Sequence, residues 1–178
     1  MGLRFNSFLD FMNMSWHWFK NKRDKMVKLT DSEKELYSFS VFKSLSKMQI
    51  KALDCIVYER SFKSGEIIYK KDHPNVAMYL IAAGLIELYD ADDSDEPDLI
   101  LERGNLVGSI ELFTGTMRVS TAVAKTNCRV LAISKYDFRS IVKNNPRIGA
   151  KILYSFCEKY SNSLYAKIIE CKSYDKED

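Results

Sequence analysis

From Glu59 to about Ile133, apolar residues alternate with polar ones in short runs broken by turn signals every eight to twelve positions. Runs of that kind are read as strands: Tyr58–Phe62, Glu66–Tyr69, Met78–Ala82, Leu85–Tyr89, Asp98–Leu101, Val119–Ala124 and Arg129–Ile133. Ser64-Gly65, His73-Pro74-Asn75, Ala83-Gly84 and Gly104-Asn105 supply the punctuation, each pairing turn formers with residues that tolerate tight backbone. Many short strands at even spacing predict a β jelly-roll or barrel. The acidic stretch Asp90–Asp98 lies between two of these runs and lacks the glycine and closing glutamate of a calcium loop, so it reads as a solvated hairpin tip.

On either side the period lengthens to that of helices. Thr30 and Glu33 have the spacing of a capping box, and Phe39, Phe42, Leu45, Ile50, Leu53 and Ile56 continue as apolar positions to about Tyr58, with a break at Ser44 and Ser46. Beyond the strands, Lys135–Lys143 predicts a short helix. Asn145-Pro146 then starts a longer one, proline being suited to a first turn. Ile148, Ile152, Phe156, Tyr160, Leu164 and Ile168 recur every four residues, a stripe that packs on the β-roll or meets its own copy. The fold class expected is α+β: a jelly-roll at 59–134, a helical lead-in at 28–58 and helices at 135–178.

Residues 1–27 differ from the rest. Phe5, Phe8, Leu9, Met12, Trp16 and Phe19 recur at spacings of three and four, and Lys20, Lys22, Arg23 and Lys25 follow as a basic cluster. Asp10 and Asn13 interrupt any secretory apolar core, and Asn6 stands where a myristoylation signal needs Ser or Thr. Three readings stay open for an aromatic amphipathic helix here: docking on a protein partner, folding back on its own domain, or lying in a membrane interface.

Composition narrows the chemistry. Net charge is only +3 over 178 residues, which gives no global field for nucleic acid. His17 and His73 are the only histidines, too few for the converging ligand sets of jelly-roll metalloenzymes, so neither a metal nor a catalytic residue is expected. Cys55, Cys128, Cys157 and Cys171 have no paired spacing and read as buried, reduced thiols of a cytoplasmic protein.

The candidate site lies in Gly104-Asn-Leu-Val-Gly-Ser-Ile-Glu-Leu-Phe-Thr-Gly-Thr-Met-Arg118-Val-Ser. Glycines permit a sharp turn and close approach of backbone to a ligand. A helical turn beginning near Gly108 leaves N–H groups unpaired, and the planar fork of Arg118, ten residues on, suits an oxyanion. The stretch reads as a pocket for one phosphate.

Three markers give a resemblance: Phe62-Lys-Ser-Gly65-Glu-Ile-Ile-Tyr69, Met78-Tyr-Leu-Ile-Ala-Ala-Gly84-Leu-Ile-Glu-Leu-Tyr89, and the turn just described. Over about residues 40–168 the sequence resembles the cyclic nucleotide-binding domain family, and within it the bacterial cyclic AMP receptor proteins. The resemblance implies an eight-stranded roll whose turn holds the nucleotide phosphate, with Gly108 and Arg118 in the glycine and arginine positions. Ser109 stands where the family has a glutamate that holds the ribose 2′-hydroxyl, Met117 where proline is common, and Val119 where a small or hydroxyl residue follows the arginine. Losing that charged acceptor is expected to cost on the order of 1.5–3 kcal/mol, about ten- to a hundredfold in affinity. Glu111 is expected to face away from the pocket if the turn is helical; Arg118 either meets an anion or pairs with Glu111 or Glu102.

Ser163, on the last helix, occupies the place of a residue facing the base, with Leu164 beside it. The candidate ligand-binding residues are thus Gly108, Ser109, Ile110, Arg118, Val119, Ser120 and Ser163. The implied ligand is cAMP or another cyclic nucleotide. The family's bacterial receptors continue into a helix-turn-helix, for which only about ten residues remain here, so no direct DNA binding is expected. Two roles follow: a non-enzymatic regulatory module with a partly degenerate pocket, or a scaffold subunit that has lost its nucleotide. Either is expected to act through a protein partner or self-association by its terminal helices, in the cytoplasm or peripheral to the inner face of a membrane.

Overall fold

The computed structural model describes residues 28–90 and 96–174. The aromatic stripe from Phe5 to Phe19 and most of the acidic hairpin tip lie outside these residues.

Helix α1 (Asp31–Ser38) starts where its capping box dictates: the Thr30 side chain accepts from the Glu33 N–H at 3.2 Å, and the Glu33 carboxylate accepts from the Thr30 N–H at 2.7 Å. A 3-10 turn (Ser40–Phe42) follows, then α2 (Lys47–Asp54). Ser46, expected only as a break, caps α2 through a second box with Gln49. Leu36, Phe39, Val41, Phe42, Ile50 and Leu53 are all buried, so these short elements form one lid over the roll.

The roll has eight strands: β1 (Val57–Phe62), β2 (Ile67–Tyr69), β3 (Ala77–Ala83), β4 (Ile86–Tyr89), β5 (Leu99–Leu101), β6 (Leu106–Val107), β7 (Thr121–Ala124) and β8 (Cys128–Ser134). They form two antiparallel four-stranded sheets, ordered β1-β8-β3-β6 and β2-β7-β4-β5. Strand β6 is absent from the sequence reading; two residues carry no periodicity, and it is fixed only by pairing with Tyr79 and Leu80 of β3.

Strands β3 and β8 explain why their sequences are almost continuously apolar. Met78, Leu80, Ala82, Leu131 and Ile133 point to the helical side, where they join Leu36, Phe42, Ile50, Phe138, Ile152 and Phe156. Tyr79, Ile81, Val130 and Ala132 alternate to the space between the sheets, with Ile86, Ala122 and Ala124. A strand buried on both faces loses the polar half of its alternation. Each such Leu or Ile contributes about 1.5–3 kcal/mol over leaving it exposed.

A helix α3 (Ile110–Thr114) interrupts the strands between β6 and β7, and α4 (Lys135–Asn144) and α5 (Pro146–Tyr174) close the chain. Gly149 allows the last two to meet: a Cβ there would lie 2.6 Å from the Val142 carbonyl oxygen. Ile148, Ile152 and Phe156 pin the first half of α5 to the core, while Leu164, Tyr165, Ile168 and Ile169 of its second half are exposed. Arg129 of β8 ties the lead-in down, holding Glu35 at 2.6 and 2.8 Å and Glu59 at 3.2 Å.

The cysteines differ from expectation. Only Cys128 is buried; Cys55, Cys157 and Cys171 are exposed free thiols, because Cys157 and Cys171 lie on the solvent side of α5 and Cys55 just past α2.

Candidate functional site

Arg118 is a charged residue held inside the protein. Its backbone is fixed by the Asp72–Pro74 turn: the Arg118 N–H donates to His73 O at 2.9 Å, and the Asp72 N–H to Arg118 O at 2.9 Å. Beside them Pro74 and Met117 form a bridge. This clamp turns the side chain inward, where it is 2% exposed. One terminal nitrogen, Nη1, donates to Gly108 O at 3.0 Å, and Nη2 donates to Ala77 O. The guanidinium carbon sits 4.0 Å from the centre of the Tyr69 ring, a cation–π contact in a desolvated place. Nε is buried with no hydrogen-bond partner.

Gly108 is the counterpart of that arginine. Its φ is +67°, and a Cβ built on it would lie 1.9 Å from Arg118 Nη1. Two requirements, a left-handed backbone and direct contact with a guanidinium, select glycine at once. The Gly108 carbonyl accepts a second hydrogen bond, from Asn75 Nδ2 at 3.1 Å, while Asn75 Oδ1 is buried without a partner.

Glu111, expected to face away, faces the arginine. Its carboxylate is buried, with Oε2 3.8 Å from Arg118 Nη1 and Oε1 accepting from the Val119 N–H at 3.4 Å. The turn is helical only from Ile110 to Thr114, and Gly115 ends it with a left-handed φ of 76°. Being on the first turn of so short a helix, Glu111 lies over the Arg118–Val119 backbone that returns beneath it. Arg118 therefore pairs with Glu111 rather than Glu102.

The remaining sequence-predicted residues divide. Ser109 is buried and its hydroxyl accepts from the Tyr160 hydroxyl of α5 at 2.8 Å. Ile110 and Val119 are exposed apolar residues at the rim. Ser120 lies close enough to the Tyr69 hydroxyl to oppose the rise in its pKa. Ser163 is exposed and donates to Lys159 O on its own helix at 3.1 Å, so the α5 residue in contact with the turn is Tyr160, one turn earlier. Burial pushes the Tyr69 hydroxyl up to about 12, against the opposing pull of Arg118. Burial also raises Tyr160, and the hydrogen bond with Ser109 works against the shift.

An aromatic hinge links turn and helix. Phe113 of α3 meets Phe138, Phe156 and Tyr160 with ring centroids 5.8, 5.0 and 6.4 Å apart. Phe156 and Tyr160 were legible as periodic apolar positions, but Tyr69 and Asn75 were missed. Their signal was present only in their placement after the two turn dipeptides, Ser64-Gly65 and His73-Pro74.

Residues 59–145 match the family model of the cyclic nucleotide-binding domain, and this β-roll belongs to that family. Among proteins similar to the chain is a cAMP-dependent protein kinase regulatory subunit of Dictyostelium discoideum, 26% identical over 131 residues, 72% of this chain and 40% of that one. The chain thus spans less than half the length of that relative. Similar solved structures include a cyclic nucleotide-binding domain from Methylobacillus flagellatus, with a TM-score of 0.68 at 17% identity, covering 81% of this chain and 88% of that one. The catabolite activator protein of Thermus thermophilus has a TM-score of 0.64 at 18% identity, covering 75% and 62%. At these identities the two structures speak for the fold. Among the described residues no helix is long and apolar enough to cross a membrane.

Proposed function

We propose that the chain is a non-enzymatic regulatory module whose pocket takes the phosphate of a cyclic nucleotide, cAMP or a close relative, with reduced affinity. The observation that carries the reading is Arg118, sequestered directly against the left-handed backbone of Gly108. Burying a charge is costly, and a buried guanidinium that still has an unpartnered Nε supports a role for an incoming oxyanion. In this reading Gly108 and Arg118 meet the phosphate, Ser109, Ile110, Val119 and Ser120 line the turn around it, and Ser163 stands on the side of the base. The Dictyostelium relative carries cAMP dependence and a regulatory role in its name. A ligand changing the environment of Ser109 acts on α5 through Tyr160, by preferring one of two helix positions.

A second reading is a scaffold subunit that keeps the fold without a nucleotide. It is favoured by Ser109, which stands in the place of a charged acceptor and already spends its hydroxyl on Tyr160. In either case attachment runs through the open half of α5 and the aromatic N-terminal segment, to a protein partner, a second copy or the inner face of a membrane. Thermal melting with cAMP and cGMP separates the two roles. The module predicts a saturable rise in Tm with one nucleotide at high micromolar to millimolar concentration; the scaffold predicts none with either.

A further inference from the structure

The nucleotide reading places one anion beside Arg118, yet the chain already supplies one. The Glu111 carboxylate bridges the two donors that the turn presents: Arg118 Nη1 at 3.8 Å and the Val119 N–H at 3.4 Å. Both contacts are long for charge-assisted bonds, which close to about 2.7–2.9 Å when geometry allows. Arg118 is not satisfied by them either. Its Nη atoms are spent on the carbonyls of Gly108 and Ala77, and Nε has no partner. A structural ion pair in a dry site would be expected to close its fork. Here a carboxylate hovers over two donors without closing on either.

We propose that Glu111 is an internal anion that occupies the phosphate position, holding the pocket in a self-liganded state until a stronger oxyanion displaces it. The inference rests on the phosphate reading of the pocket and adds its regulation. A phosphate brings more oxygens to the same donors than a carboxylate on a short tether, and the unpartnered Nε is one more donor on the same guanidinium. Displacement, not simple filling, is then the step that ligand binding must accomplish, and affinity is set by how readily Glu111 leaves. Tyr160 completes the closed state on the other side of the turn, because its hydroxyl takes the Ser109 oxygen at 2.8 Å. The resting turn therefore has a carboxylate over its arginine and a phenol on its sugar-side hydroxyl, both from within the chain.

Calorimetric titration of the full chain with inorganic phosphate and, separately, with cAMP tests this on wild type, Glu111→Gln and Glu111→Asp. Glutamine keeps the shape and removes the charge; aspartate keeps the charge and withdraws it by one methylene, so one variant remains if the other does not fold. The expected result is affinity for phosphate and cAMP raised about tenfold or more in Glu111→Gln, and by less in Glu111→Asp. Adding Arg118→Lys to Glu111→Gln is expected to return affinity to the wild-type level. If Glu111→Gln gains phosphate affinity while no variant takes cAMP, the internal anion stands and the nucleotide reading falls. Folded Glu111 variants that bind both probes no tighter than wild type overturn the inference, whatever the wild-type affinity is.

Discussion

The hydroxyl of Tyr160, on the long C-terminal helix, donates to the buried hydroxyl of Ser109, on the phosphate turn, at 2.8 Å. The two residues are 51 positions apart in sequence, and the bond is a direct polar link from pocket to exit helix. The rings of Phe113 and Phe156 pack against that of Tyr160, with centroids 6.4 and 5.9 Å away, and hold its hydroxyl toward the turn.

Tyr160→Phe removes the donor and leaves the Ser109 oxygen buried and unanswered. The expected loss is about 1–2 kcal/mol of unfolding free energy by urea denaturation. Hydrogen exchange of α5 beyond Phe156 should quicken in the same variant, since the helix then loses its only polar tie to the turn among the described bonds. Unchanged exchange would mean that the aromatic contacts alone hold the helix down.

Gly108→Ala forces a Cβ to within 1.9 Å of Arg118 Nη1 on a backbone with φ of +67°. Strain and clash together predict a destabilisation of at least about 2 kcal/mol, read as a fall in the denaturation midpoint. A neutral substitution would show that Arg118 is free to leave its observed position.

Arg118→Ala strands the Glu111 carboxylate in a site where it is 3% exposed. Breaking a buried pair from one side costs about 3–5 kcal/mol, so this variant is expected to melt well below wild type. Arg118→Ala combined with Glu111→Gln should recover part of that loss; strict additivity of the two changes would mean that the pair is not coupled.

Tyr69 gives the fold an alkaline weakness. Burial raises its hydroxyl from an ordinary value near 10 to about 12, so the folded state holds a proton that the unfolded chain releases. Its contribution is complete below pH 10 and disappears as pH rises through about 12, a stability change on the order of 2 kcal/mol. Melting temperatures between pH 9 and 12 should therefore fall less steeply in Tyr69→Phe than in wild type.

The open half of α5 presents Leu164 and Ile168 to solvent. If self-association uses this stripe, light scattering of wild type should give a mass above that of one chain, and a double change to Arg at both positions should return the monomer. A monomeric wild type would leave the stripe to a different protein.

What the sequence revealed, and what it hid, follows from the range of the interactions involved. The Thr30–Glu33 box, the strands with strong alternation and the Pro146 helix start are local, and each was legible in a few neighbouring residues. Strand β6 was not, since two residues become a strand only when β3 lies beside them. Gly108 and Arg118 could be paired in advance because a fixed turn separates them. Tyr69, Asn75 and Tyr160 reach the same turn from distant parts of the chain. The direction of Glu111 depended on where a five-residue helix stops, which helical spacing alone misjudged.

Calorimetric titration of the purified chain with cAMP, run in parallel on wild type and Arg118→Lys, meets the central claim most directly. The account predicts saturable binding to wild type with Kd in roughly the 10 µM to 1 mM range, at least about tenfold weaker in the lysine variant, which keeps the charge but loses the fork. Equal binding by the two proteins, or no heat from wild type at millimolar nucleotide, would contradict it.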